Sequence, residues 1–115
     1  MNRQATGAAA EQLACEYLQA RGLRLLERNY RCRFGEIDLI MQDGADLVFV
    51  EVRYRRSHRF GGAALSVDAA KQAKLLATAQ HYLQSKASKR NARVDVIAVE
   101  AGNRVDWIKN AIEAP

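Results

Sequence analysis

Only two of the 115 residues are cysteine and one is proline, and no apolar run approaches the length of a membrane-spanning helix. Cys15 and Cys32 have neither the close spacing of a zinc site nor the density of a disulfide scaffold. That excludes both frameworks and fits a reducing cytosol, with each thiol a small buried side chain. The early Arg3 and an Ala-rich stretch interrupted by Glu11 and Gln12 leave no apolar core for a signal peptide. There is no repeat, low-complexity segment or linker. The chain therefore reads as one domain over residues 1–115, cytoplasmic and without membrane attachment.

What is present is enough apolar material, 49% of residues, for a single core, and an excess of basic groups that gives a net charge of +5. A positive balance suits a polyanionic partner. Ala10, Leu13, Ala14, Tyr17 and Leu18 recur at helical spacing and predict a helix from about Arg3 to Arg21, ended by Gly22. Leu23 to Asn29 reads as a strand. A second helix, from about Val67 to Lys86, is expected to be capped by Ser66 and to bury Leu75, Leu76, Ala79, Tyr82 and Leu83. Strands at Arg93 to Val99 and Val105 to Ile108, joined at Gly102-Asn103, complete an α-β-β-β-α-β-β order.

Between these elements lie two strands, Glu36-Ile37-Asp38-Leu39-Ile40 and Val48-Phe49-Val50-Glu51-Val52-Arg53, joined by Asp43-Gly44-Ala45-Asp46. Apolar and charged residues alternate, so Glu36 and Asp38 are expected on one face of their strand, and Glu51 and Arg53 on one face of theirs. Either a two-residue loop at Gly44-Ala45 or a four-residue loop from Asp43 to Asp46 sets Asp38 opposite Glu51 and Glu36 opposite Arg53. Opposed Cβ atoms are roughly 5 Å apart, and like charges at that separation repel unless a cation or a proton lies between them. Asp38 with Glu51 is the geometry of a divalent-metal site. Glu36 with Arg53 would make a cross-strand ion pair.

Gly35-Glu36-Ile37-Asp38-Leu39-Ile40 and Val48 through Arg55, continued by Phe60-Gly61-Gly62, Lys71-Gln72 and Trp107 through Ala111, resemble the YraN-like family of small bacterial proteins. That family is similar in pattern to PD-(D/E)xK nucleases of the Holliday junction resolvase type. The resemblance covers nearly the whole chain. It implies an α/β, restriction-endonuclease-like αβββαβ core with a mixed sheet flanked by helices, and the element order above agrees with it. It further implies a Mg²⁺- or Mn²⁺-dependent endonuclease acting on DNA, with branched or junction DNA as a substrate and a homodimer to bring two sites to one junction.

By the same resemblance Asp38 and Glu51 are metal ligands with the carbonyl of Val52 as a third. Glu11 stands where many such nucleases carry an acid on the first helix. Arg53 replaces the usual Lys. An Arg stays charged and cannot serve as a general base, though it can grip a phosphate oxygen. Lys71, beside Gln72 at the start of the second helix, is a candidate to supply the missing amine. Arg31, Arg33, Arg55, Arg56, His58 and Arg59 form a basic stretch suited to phosphate contact that is indifferent to base sequence.

Each feature also has a structural alternative. Asp38 and Glu51 could line a solvated hairpin, Glu11, Lys71 and Gln72 could sit on exposed helix faces, and the basic stretch could be a solvated loop. His58 and His81 carry no expected metal role. Asp95, among Val94, Val96 and Ile97, needs a partner if buried, and an ion pair with a nearby Arg serves. Trp107 reads as a core or interface anchor. For the whole chain the alternative to an enzyme is a non-catalytic nucleic-acid-binding or adaptor protein that keeps the fold, and a third reading is a protein scaffold.

Overall fold

The computed structural model describes residues 3–55 and 67–113, with side chains from residue 7 onward. The elements are α1 (Arg3–Ala20), β1 (Arg24–Cys32), β2 (Gly35–Asp43), β3 (Asp46–Arg55), α2 (Ala69–Ser85), β4 (Ala92–Glu100) and β5 (Arg104–Ile112). The expected order therefore holds. The end of α1 and the start of α2 follow from local chemistry. Gly22 takes φ +92°, and Gly22 N–H and Leu23 N–H donate to the Gln19 and Leu18 carbonyls, which gives α1 a Schellman end. The cap of α2 is Asp68 and not Ser66: its carboxylate accepts from Lys71 N–H at 2.8 Å, two residues later than expected.

The five strands lie in the order β1-β2-β3-β4-β5, antiparallel except for β3 with β4. A parallel pair needs a long crossover, and the connection containing α2 supplies it. α2 covers one face of the sheet, packing Leu75, Ala79 and Tyr82 on Ile40, Phe49, Val94 and Val96. α1 covers the other, packing Ala10, Ala14 and Leu18 on Leu39, Met41, Val48, Val50 and Ile97. Central strands covered on both faces have no solvent side, so Leu39–Met41 and Leu47–Val50 are buried without interruption. The alternation expected for this hairpin survives only toward its open end, where the charges are.

The β2–β3 register is the expected one and runs from Asp43↔Asp46 to Leu39↔Val50, where the ladder stops. Beyond that point β2 turns over. Ile37 and its β1 partner Tyr30 belong to the α2-side core, whereas Leu39 packs on the α1 side and its partner Arg28 reaches Cys15 there, Nη2 to Sγ 3.6 Å. Residues two apart on a regular strand share a face. The exception has a visible cause in Asn29, between Arg28 and Tyr30, whose φ of +53° is one that Asn tolerates better than most residues. Asp38 stands at the matching point of β2.

Asp95 is fully buried and satisfied. It receives Arg93 Nε at 3.1 Å, Trp107 Nε1 at 2.9 Å and Asn110 N–H at 2.8 Å, and Arg93 continues to Asp43 at 2.9 Å. The ion pair with an Arg and the anchoring role of Trp107 are thus present. The Asn110 bond also explains why β5 outruns the expected Val105 to Ile108: it holds an irregularity opposite Asp95, with Asn110 at φ +51°, after which Ile112 rejoins Val94.

Candidate functional site

Where the β2–β3 ladder ends, Asp38 replaces the missing backbone acceptor: its Oδ2 accepts from Val52 N–H at 2.8 Å. The carboxylate is therefore aimed into the gap between the strands. A residue's N–H and C=O face the same antiparallel neighbour, which places the Val52 carbonyl on that edge as well. Glu51, one residue earlier, is buried to 3% exposure and neighbours Asp38, with which it can hydrogen-bond only by sharing a proton. Burial, that hydrogen bond and the charge of Glu51 push the Asp38 carboxyl up from 3.8 to about 7, against the opposing pull of Val52 N–H.

Two cations meet this pair. Lys71, in the first turn of α2, brings Nζ to 3.4 Å from Glu51 Oε2, and Arg53 brings Nη1 to 3.8 Å from the same oxygen. The Asp68 cap fixes the start of the helix that carries Lys71. Gln72 does not join the cluster through its amide nitrogen, which donates to the Val67 carbonyl at 2.8 Å and closes the same helix end.

The acidic field extends to the α1 side. Burial and the charges of Asp38 and Glu36 raise the Glu11 carboxyl, against the pull of Arg28. With its amide nitrogen turned to the carboxylates, Asn29 bridges Glu11 Oε1 and Glu36 Oε1 at 3.2 Å each. Glu36 pairs with Arg31 at 3.4 Å, not in a β2–β3 ladder with Arg53, because the ladder has ended and the turnover at Asn29 separates Glu36 from Asp38. Asn29 was missed by sequence reading; an Asn inside a strand run is the signal, since a left-handed residue there re-aims its neighbours.

Asp38, Glu51, Lys71 and Arg53 are thus brought together, with Val52 at the same edge and Glu11 facing them from α1. Of the basic stretch, Arg31 is on β1, Arg33 is in the β1–β2 turn with its guanidinium 4.8 Å from the Phe34 ring, and Arg55 ends β3. Arg56, His58 and Arg59, with Phe60-Gly61-Gly62, lie outside the described residues. His81 contacts the Tyr30 hydroxyl through Nδ1 at 2.6 Å. Cys15 is buried as expected, whereas Cys32 is only half-buried.

Among the described residues no group of three or more His, Cys, Asp or Glu side chains is arranged to hold a metal ion. Two carboxylates and a backbone carbonyl are still an adequate set for Mg²⁺, which keeps several waters and is commonly bound through one or two carboxylates. Desolvation and the closeness of Glu51, which raise the Asp38 carboxyl, make its ionised form costly, and such a cation would relieve that cost.

A mixed five-stranded sheet between two helices, with a half-buried and a buried acid where the second and third strands part, defines an α/β domain compatible with a restriction-endonuclease-like core. The model of the uncharacterised protein family UPF0102 matches residues 10–99. A UPF0102 protein of Methylococcus capsulatus is 59% identical over 98% of this chain and 94% of its own length. Others from Nitrosococcus oceani and a Janthinobacterium strain are 56% and 54% identical, over 91% and 97% of this chain and 89% and 90% of their own lengths. The chain belongs to UPF0102, the YraN-like family of small bacterial proteins. No described helix is long and apolar enough to cross a membrane.

Proposed function

We propose that this protein is a metal-dependent endonuclease that hydrolyses phosphodiester bonds of DNA, with Asp38 and Glu51 as the ligands of Mg²⁺ or Mn²⁺. The observation that carries the reading is the half-buried Asp38 held against the buried Glu51 at a strand opening, where desolvation first and then the neighbouring Glu51 push the Asp38 carboxyl to about 7. Such strained ionisable pairs concentrate at functional sites. A divalent ion bound there would lower the pKa of a bound water and neutralise charge on the scissile phosphate.

The chain's own residues set up the rest. Val52 N–H orients Asp38, and the Val52 carbonyl completes the donor set on the same edge. Lys71 stands in for the amine that Arg53 replaces: its ammonium, 3.4 Å from Glu51, would hold a proton beside the attacking water. Arg53 binds a phosphate oxygen and stabilises developing charge. Glu11 limits the site on the α1 side. Arg31, Arg33 and Arg55, with Arg56, His58 and Arg59, hold the DNA backbone. A junction substrate would require two copies of the site, hence a homodimer.

A second reading, the non-catalytic DNA-binding adaptor, is favoured by one observation: Lys71 and Arg53 already lie near Glu51 and offset its charge without a metal. Cleavage of labelled linear, flapped and four-way-junction DNA with Mn²⁺ separates the two. Loss of cleavage in folded Asp38→Asn and Glu51→Gln variants is the expected result. No cleavage by the unmodified protein, with salt-sensitive binding indifferent to both substitutions, supports the adaptor.

A further inference from the structure

One stripe of α2 runs through Lys71, Lys74, Thr78 and His81, spaced three and four residues apart and therefore on one face. Its neighbours lead away from the acidic pair along the β1–β2 hairpin. Lys71 meets Glu51, Lys74 and Thr78 pack on Gly35, where an added Cβ would stand 3.2 Å from Thr78 Oγ1, and His81 meets Tyr30. At the far end, in the hairpin turn, Phe34 leaves 40% of its surface exposed. The ring has neighbours on two sides, with the His81 ring edge-on at 6.1 Å and the Arg33 guanidinium 4.8 Å from its centroid, while the turn backbone brings Phe34 N–H to 3.4 Å from Cys32 Sγ.

An exposed aromatic flanked by a guanidinium is the chemistry that receives a nucleobase, since every base has a π-face and the cation adds its own attraction. Ten residues of helix from Lys71 to His81 span about 15 Å, and bases stack at about 3.4 Å, so a strand of roughly four nucleotides fits between the acidic pair and the ring. Lys74 on the stripe, Arg33 in the hairpin turn and Arg31 near the end of β1 add positive charge, that of Arg31 offset in part by Glu36 at 3.4 Å.

We propose that Phe34 is a stacking platform for an unpaired base of a DNA strand that runs along α2 into the Asp38–Glu51 site. The inference rests on the nuclease reading and sharpens it, because a stacked single base requires a single-stranded or flapped end and not an uninterrupted duplex. Arg33 caps the stack, and His81 with Tyr30 buttresses it.

The test is anisotropy of a labelled single-stranded DNA with the full chain, beside an oligonucleotide of the same backbone without bases. Phe34→Ala weakens binding about 5- to 150-fold, the range of one base–aromatic stack. Phe34→Tyr and Phe34→Trp restore it, and Phe34→Leu, equally apolar but without a π-face, does not. The base-free oligonucleotide binds wild type and Phe34→Ala alike. Salt-sensitive binding to wild type that Phe34→Ala leaves unchanged overturns the platform and leaves the nuclease reading standing. Absence of DNA binding by wild type overturns both. A dimer of the wild type that Phe34→Ala disperses in sedimentation makes the ring a protein contact and also overturns the platform.

Discussion

Replacing Asp38 by Asn should make the metal-free protein more stable, and the size of the gain follows from the site. The Asp38 carboxyl is raised from 3.8 to about 7, some three units, and each unit is worth about 1.4 kcal/mol, so keeping it ionised at pH 8 costs at most about 4 kcal/mol. Asn has nearly the same shape and no charge. Its oxygen can accept from Val52 N–H in place of Oδ2, and its NH₂ can donate to Glu51, so the hydrogen-bonding pattern survives at a loss of about 1 kcal/mol for the charge assistance. The net expectation is a gain of about 1–3 kcal/mol at pH 8 in the presence of a chelator, read by urea denaturation. Below about pH 4 Asp38 is protonated in both the folded and the unfolded chain, and the two proteins should differ little. With Mn²⁺ at a hundred times its dissociation constant, wild type should recover about 2.7 kcal/mol and the Asn variant little of it. An Asn variant no more stable than wild type at pH 8, or one that keeps the full Mn²⁺ response, would refute the strained metal pair.

The remaining expectations concern the same site and its support. Wild-type stability without metal should fall between about pH 4 and 7. In that interval the unfolded chain has lost the Asp38 proton and the folded chain retains it, so folding binds protons and rising pH opposes it; a flat profile in Asp38→Asn checks the assignment. Lys71→Ala should slow Mn²⁺-dependent cleavage at least about tenfold while Mn²⁺ binding, measured by calorimetry, stays as tight or tightens, because a cation competing for Glu51 is gone. An unchanged rate would return Lys71 to an ordinary helix face. Asp95→Ala should cost about 3–5 kcal/mol in urea unfolding, since it strands the buried groups of Arg93, Trp107 and Asn110 at once.

Legibility was greatest where one local cause acts alone. Gly22 ends α1 and the Gly44-Ala45 turn sets the β2–β3 register because each is decided by a few neighbouring residues, and that register brings Asp38 to Glu51. The cap at Asp68 was misplaced to Ser66, since two capping residues stand close together and only packing of α2 on the sheet chooses between them. Asn29 escaped notice because the effect of its left-handed backbone appears on β2, not on β1. Phe34 carries no sequence pattern at all; its meaning depends on His81, which is 47 positions away and one helix face distant.

The sequence by itself determined the order of helices and strands, the register of the charged hairpin, the family, and the pairing of an aspartate with a glutamate, because periodicity, turn chemistry and motif spacing are short-range. Only the tertiary structure decided that both faces of the sheet are covered, that the ladder opens after Leu39–Val50, that Lys71 reaches Glu51 from the crossover helix α2, and that Glu36 turns to Arg31. These depend on where α1 and α2 land on the sheet. That choice is made by the burial of two separate apolar cores, which no local run of residues contains.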